Sequence, residues 1–399
     1  LGIQHVDAHH LWGKSQEFLD KTLSHRINSM PYQLDRLILD PASRKRPLPD
    51  SKSFSRKNEL TDVNSEIDKE ISSTNLFSVL YFDGEKVLID RKSEKISDLS
   101  IIFSHSMSKQ LVGYLLGHAL CEGNIGSVED TVQKYLKVTS GTPWGNKTLR
   151  QMINMQAGNA GNLFVKAHKT ILETAEKVKR LKSLKGLDFF PDYQKWDFLP
   201  DYSALMFYDA TTVKRSIKKA RGIREDKTLE YNYADIDPDI VFNIIAKTTK
   251  GDTRGFIQKH LAERAGTTGE MSFLKDRDRW LMGAFRFFAT RKDWLRLGIM
   301  IAEDWKSDTC IGRYLRDIEK NKISKNVSGI PGRRYADQNY GGHFYFDNFY
   351  LSGRNASFVG HSGQRVIIDL DTGRILAFHA VTDDYDFQKM HDLFNSPPE

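Results

Sequence analysis

The stretch Phe103-Ser104-His105-Ser106-Met107-Ser108-Lys109-Gln110 decides how the chain is read. Ser106 and Lys109 stand three residues apart, which on a helix puts both side chains on one face, amine within reach of hydroxyl. A serine alcohol is a weak nucleophile until a neighbouring base takes its proton. A lysine can be that base when burial or nearby positive charge lowers its pKa. Ile101-Ile102-Phe103 delivers the chain into this pair, and Leu111, Val112, Leu115, Leu116 and Ala119 repeat after it at helical spacing. Ser106 is therefore expected in the first turn of a core helix, near the positive end of its dipole. Ser104 and Ser106 are also ordinary N-cap residues, so the pair by itself does not separate nucleophile from cap. A second pair at the same spacing, in Ser216-Ile217-Lys218-Lys219, lies in a basic polar run without apolar flanks.

Composition narrows the field. With 399 residues, 39% hydrophobic and 11% aromatic, the chain can bury one large core or two interleaved ones. The two cysteines, Cys121 and Cys310, make no disulfide framework, and Cys121 reads as a small buried residue of the apolar helix. No Cys/His cluster has zinc spacing, so neither a metal nor another cofactor is expected. No apolar run reaches the roughly 18 residues of a membrane span, so no stable membrane insertion is expected. The net charge of +7 gathers in Lys177–Lys182 and Lys214–Arg221. Without a zinc-finger or RNA-binding signature these runs read as solvated helix faces, not a nucleic-acid surface. The chain opens on Leu1 without a charged-then-apolar leader, which leaves a removed signal and a trimmed start both open. The compartment is undetermined, with a periplasmic or secreted location favoured over a cytoplasmic one, and the oligomeric state is not legible.

Residues 1–75 are polar and irregular, with a helix candidate from Leu11 to Ile27 and breaks at Pro31, Pro41, Pro47 and Pro49. They read as an extension wrapped on the surface. Leu76–Phe82 and Lys86–Asp90 form a hairpin around Asp83-Gly84. Residues 148–270 are mostly helical in pattern, with candidates at Thr148–Met155, Leu172–Leu184, Tyr202–Lys219, Asp239–Lys250 and Phe256–Ala265. Strand patterns resume at Tyr340–Phe346, Gly363–Leu370 and Arg374–Val381, and Asp383–Phe394 is a closing helix. Hairpins from both ends of the chain then complete one antiparallel sheet. The expected fold is α+β: an antiparallel sheet flanked by helices with an inserted all-α subdomain. Its parts are an extension (1–75), a sheet domain (76–147 and 271–399) and a helical subdomain (148–270).

Two further stretches join the first. Leu229-Glu230-Tyr231-Asn232-Tyr233 precedes the helix from Asp239, and Val359-Gly360-His361-Ser362-Gly363-Gln364 leads into the Arg365 strand. Small residues at a strand start let a substrate lie along the strand edge. In this order the motifs resemble the β-lactamase-like serine hydrolases: DD-peptidases, class C β-lactamases, and related esterases and aminohexanoate-oligomer hydrolases. The resemblance covers roughly residues 76 to 395. Ser106 and Lys109 match the family's Ser-x-x-Lys, and His361-Ser362-Gly363 matches its Lys-Thr-Gly in a His-x-Gly form. Thr148–Gly158 and Phe288–Gly298 are similar to its connecting segments. The Tyr-x-Asn element matches at Tyr231 with a departure, since Asn232 follows it directly and Tyr233 holds the third position.

The resemblance implies that Ser106 is the acylated nucleophile, that Lys109 helps deprotonate it, and that Tyr231 carries the proton to the leaving group. Tyr231 is selected as the phenol two residues after the apolar Leu229, and Tyr233 is its rival. The backbone N–H groups of Ser106 and Gln364 form the implied oxyanion hole, and His361 orients the substrate or tunes Tyr231. The expected activity is hydrolysis of a carboxylic ester or small linear amide through an acyl-enzyme. A DD-peptidase or β-lactamase and a non-catalytic scaffold of the same fold are the alternatives.

Overall fold

The computed structural model describes residues 5–6, 35–49, 57–158, 211–223, 227–325, 337–360, 363–380 and 385–395. The chain starts with the short strands β1 (His5–Val6) and β2 (Arg36–Leu39) and helix α1 (Lys57–Ser73). The hairpin β3 (Leu76–Phe82) and β4 (Val87–Lys92) leads to β5 (Ile101–Phe103) and α2 (Ser108–Cys121). Short helices α3 (Val132–Tyr135), α4 (Leu149–Ile153) and α5 (Val213–Lys219) precede α6 (Ile236–Thr248) and α7 (Thr253–Ile257). Strands β6 (Met271–Leu274) and β7 (Phe287–Thr290) follow, then α8 (Arg291–Lys306) and α9 (Cys310–Lys320). The end of the chain supplies β8 (Ile323–Ser324), β9 (Asp337–Gly341), β10 (Phe344–Asn348), β11 (Asn355–Gly360), β12 (Gln364–Asp369), β13 (Ile375–Ala380) and α10 (Phe387–Asn395).

Eight strands form the main sheet in the order β4-β3-β13-β12-β11-β10-β9-β8. The last strand, β13, pairs antiparallel with β3, so the two ends of the chain do close one sheet. Both faces are covered, which explains the near-continuous apolar run of β3, broken only by Ser78. Val79 and Tyr81 enter one core with Ile67 of α1 and Met390 and Phe394 of α10. Leu80 and Phe82 enter the other with Leu295 and Ile299 of α8 and Leu111 and Leu115 of α2. Along β13 the same alternation puts Leu376 and Phe378 on the first core and Ile375 and Ala377 on the second.

A smaller sheet, β1-β5-β7-β6-β2, carries the entry to Ser106. Strand β2 pairs antiparallel with β6, Arg36 opposite Leu274, and Arg91 pairs with Asp68 of α1. Among the described residues before 75, β1 and β2 are built into the smaller sheet. The Leu11–Ile27 and Leu172–Leu184 helix candidates lie outside the described residues.

Helix starts follow local chemistry. Thr148 caps α4 in a capping box with Gln151, and Thr290 caps α8 by accepting from the Asp293 amide. Asp237 and Asp239 both stand in the first turn of α6, where Asp239 accepts the Gly283 and Ala284 amides.

Two expectations are corrected here. Tyr340–Phe346 is not one strand: Gly342 and His343 both have left-handed backbone (φ 59 and 68) and turn β9 into β10. The cysteines do pair: Cys121 and Cys310 form a disulfide with Cα atoms 5.8 Å apart, joining the end of α2 to the start of α9. Their separation of 189 residues hid the contact, because pairing of two distant cysteines depends on the tertiary fold.

Candidate active site

Ser106 sits in a tight 3-10 turn, His105–Met107, between β5 and α2. The turn is clamped from β7: the Ser104 amide donates to Phe287 O at 2.8 Å, and the Phe287 amide donates to Ser104 Oγ at 3.1 Å. The Ser104 hydroxyl therefore holds this turn, while Ser106 is left pointing elsewhere. His105, buried, has φ 46, a left-handed conformation that costs a non-glycine residue on the order of 1–3 kcal/mol. Strand β11 ends against the same turn, where a Cβ on Gly360 would meet Ser104 O at 2.8 Å. Helix α2 lies closer still to the β9–β10 turn, since a Cβ on Gly113 would overlap Gly342 O. Gln110 adds a hydrogen bond from Nε2 to His343 O at 2.7 Å.

Lys109 is fully buried; its ammonium donates to Ser106 Oγ at 2.9 Å and to Ala284 O at 2.6 Å, and forms an ion pair with Asp235 Oδ1 at 2.6 Å. Burial pushes its pKa below the ordinary amine value, while the Asp235 carboxylate pulls it back up. The Ala284 carbonyl is itself fixed, because Asp239 Oδ1 accepts the Gly283 and Ala284 amides at 2.6 and 2.9 Å. Ser108 donates to Gly283 O at 2.6 Å, so the 283–284 turn holds the first turn of α2 at two points.

The phenol on Ser106 belongs to Tyr233. Its hydroxyl donates to Ser106 Oγ at 2.8 Å, and Lys109 Nζ lies 4.8 Å from its ring centroid. The residue as a whole is 38% exposed, yet its hydroxyl end is enclosed by protein, and burial followed by Asp235 pushes the phenol well above its usual pKa.

Tyr231, expected in this place, is two residues away on the same side of the extended segment. Its ring packs 5.3 Å from that of Tyr340, in a cluster with Met155 and Tyr345. The apolar Leu229 does not anchor the segment, since it is 55% exposed. The real anchor is Met155, whose carbonyl accepts the Asn232 amide at 2.7 Å and whose sulfur accepts the Ala234 amide at 3.4 Å. Asn232 is thus held by its backbone, and Tyr233 is not in the place of the Asn of a Tyr-x-Asn element. Read from Tyr233, the element is Tyr233-Ala234-Asp235, ending at the start of α6. Asp235 was missed. Its signal was available: a Tyr-x-carboxylate directly before an apolar helix with acidic residues in its first turn.

Gln364 opens β12 opposite Gly360 and is buried, at the strand end that faces the Ser106 turn. Gly363 has φ 81, and its carbonyl accepts the Tyr385 hydroxyl at 2.7 Å. His361 and Ser362 lie outside the described residues. The second Ser-x-x-Lys copy is structural: Ser216 is fully buried on α5 with its hydroxyl 3.0 Å from that of Thr211. Among the described residues no group of His, Cys, Asp and Glu is arranged to hold a metal ion, and no helix is long and apolar enough to cross a membrane.

A tight turn entering a buried helix beside the edge of an antiparallel sheet thus sets a Lys and a Tyr on one serine. No protein-family model matches the sequence, and no curated protein matches it. Solved structures do. The chain is similar to a Bacillus anthracis protein described as a 6-aminohexanoate-dimer hydrolase, with TM-score 0.61 and 13% identity over 94% of this chain and 91% of that one. It is similar to a D-stereospecific amidohydrolase from Streptomyces sp., with TM-score 0.55 and 14% identity over 85% and 99%. A class C β-lactamase from Rhodobacter sphaeroides matches with TM-score 0.55 and 12% identity over 85% and 98%. At these identities the likeness is one of fold.

Proposed function

We propose that the protein is a serine hydrolase that forms an acyl-enzyme on Ser106 and cleaves a carboxylic ester or small linear amide. The observation that carries this is the position of Ser106 Oγ, held between Lys109 Nζ and the Tyr233 hydroxyl at 2.9 and 2.8 Å. In this reading Ser106 attacks the carbonyl carbon. The backbone N–H groups of Ser106 and Gln364 receive the developing oxyanion, and Gly363 borders the substrate along the strand edge. Tyr233, kept protonated by its raised pKa, gives its proton to the leaving group. Esters lead, because an alkoxide departs with less proton donation than an amine. The amide-cleaving names of the similar structures make linear amides the second substrate class. The Cys121–Cys310 bond supports an oxidising compartment for the protein.

A fluorophosphonate tests the reading. One adduct is expected by intact mass, and Ser106→Ala is expected to abolish it. Labelling that survives in that variant, or that maps to Ser216, sinks the assignment. Comparing p-nitrophenyl esters, aminohexanoate oligomers, D-Ala-D-Ala peptides and nitrocefin by kcat/KM then ranks substrates. A clear lead for nitrocefin or the D-Ala peptide transfers the reading to a β-lactamase or DD-peptidase.

A further inference from the structure

Ser106 must lose a proton as its oxygen bonds to a carbonyl carbon, and both side chains on that oxygen already carry theirs. Tyr233 donates to Oγ, and its phenol is held protonated by burial and by Asp235. Lys109 Nζ donates to Ser106 Oγ and Ala284 O and stands 2.6 Å from Asp235 Oδ1 as an ion pair. Taking the charge from one member of a buried pair leaves the other uncompensated, and the Asp235 carboxylate holds the Lys109 pKa up against the effect of burial. The geometry therefore fits the ammonium, which has no lone pair for the serine proton.

Of the three oxygens around Lys109 Nζ, one carries a charge. Ser106 Oγ and Ala284 O are neutral, and Asp235 is a carboxylate at 2.6 Å. Other titratable groups face this pair from each neighbouring element. Asp237 and Asp239 come from α6, Tyr231 and Tyr233 from the preceding segment, and Tyr340 and His343 from the β9–β10 hairpin. Asp239 is committed to the Gly283 and Ala284 amides, and burial holds Asp237 well above the usual carboxylate range.

We propose that Asp235 is the store for the Ser106 proton, receiving a proton from Lys109 as Lys109 takes the one from Ser106. The O–H bond of Ser106 breaks and an N–H bond forms on Lys109. A second N–H bond of Lys109 breaks and an O–H bond forms on Asp235. The Ser106 electron pair becomes the new bond to carbon, and the carbonyl pair becomes the oxyanion. Lys109 remains an ammonium throughout, and one negative charge moves from Asp235 to the tetrahedral oxygen. When the leaving group departs with the Tyr233 proton, the proton held on Asp235 balances the phenolate left behind. Burial lowers the Lys109 pKa despite Asp235, so passing a proton to the carboxylate is easier than from an exposed lysine. Asp235 acts through Lys109 and is a positioning residue with respect to the substrate.

The proposal rests on Ser106 being the nucleophile, and its test separates the two. Fluorophosphonate labelling rate, kcat and KM are measured against pH for the full chain, for Asp235→Asn and Asp235→Glu, with Ser106→Ala as blank. Asp235→Asn keeps the size of the side chain and cannot store the proton. Its labelling rate and kcat are expected to fall about 10²-fold or more with KM changed by less than about threefold, the usual signature of a lost proton-transfer group. Asp235→Glu is expected to keep more activity than Asp235→Asn and to move the acid limb of the profile. Asp235→Asn labelling at or above the wild-type rate overturns the proposal, since a neutral Lys109 is then the base. Equal losses in both variants also overturn it. Should Asp235→Asn not fold, Asp235→Glu decides alone, and an unmoved acid limb is the overturning result. If wild-type protein takes no label on Ser106, the proposal falls together with the serine-hydrolase reading.

Discussion

Tyr231 and Tyr233 differ by two positions and by everything their hydroxyls touch. Along an extended segment such residues share a side but sit roughly 6–7 Å apart, so one reaction centre is served by one of them. Tyr233 reaches Ser106 Oγ at 2.8 Å, whereas Tyr231 packs against Tyr340 and Tyr345. Tyr233→Phe is expected to lower kcat by about 10²–10⁴-fold, the worth of a general acid–base group. Tyr231→Phe removes a hydroxyl that interacts with Tyr345 behind the site and is expected to act mainly on KM. Steady-state kinetics of both variants, shown folded by circular dichroism, decide between them. A crippled Tyr231→Phe beside a normal Tyr233→Phe would return the role to Tyr231.

At the scale of elements, α2 is the part on which the site depends. It carries Lys109 in its first turn, touches the β9–β10 turn through Gly113, and is tied at its last residue to α9 by the Cys121–Cys310 bond. A cross-link spanning 189 residues removes much of the unfolded chain's freedom, by about 5 kcal/mol at most in the chain-entropy view. The Cys121→Ser/Cys310→Ser double variant is expected to lose roughly 2–5 kcal/mol of unfolding free energy in urea titration. Its labelling rate at Ser106 should stay near wild type below the transition, because the 283–284 turn, β7 and β11 hold the Ser106 end of α2 independently. An unchanged urea midpoint would show that the bond contributes nothing to stability.

Across the whole molecule, histidines buried without charge set the response to acid. His118 is held down to about 2 by burial and by His260, stacked at 3.9 Å. His343 and His379 are held down to about 3 by burial, with Lys109 and Arg291 as the nearby cations. In the unfolded chain each takes a proton near pH 6.5. Their folded pKa values are depressed, so the stability is fully present above about 6.5 and is lost as pH falls toward 3. Each histidine contributes a slope of up to about 1.4 kcal/mol per pH unit in that window, so the three together reach about 4. Urea midpoints at about pH 7 and 5 should differ steeply, and single His→Gln variants should flatten the slope. Equal midpoints at the two pH values would refute this account.

Sequence periodicity determined much of this protein. Ser106 and Lys109, the buried helix behind them, the Asp83-Gly84 hairpin and the closure of the sheet by the last strand on β3 were all legible. These features are local, or follow from apolar patterns that admit burial on one or both faces. Tertiary structure alone decided the rest. It put Tyr233 rather than Tyr231 on the serine, because the register of an extended segment is set by what it hydrogen-bonds to, here Met155, more than 70 residues earlier. It paired Cys121 with Cys310, which come together only when α2 meets α9. It also set Asp235 and the 283–284 turn around one buried ammonium, whose charge depends on distances that no spacing along the chain encodes.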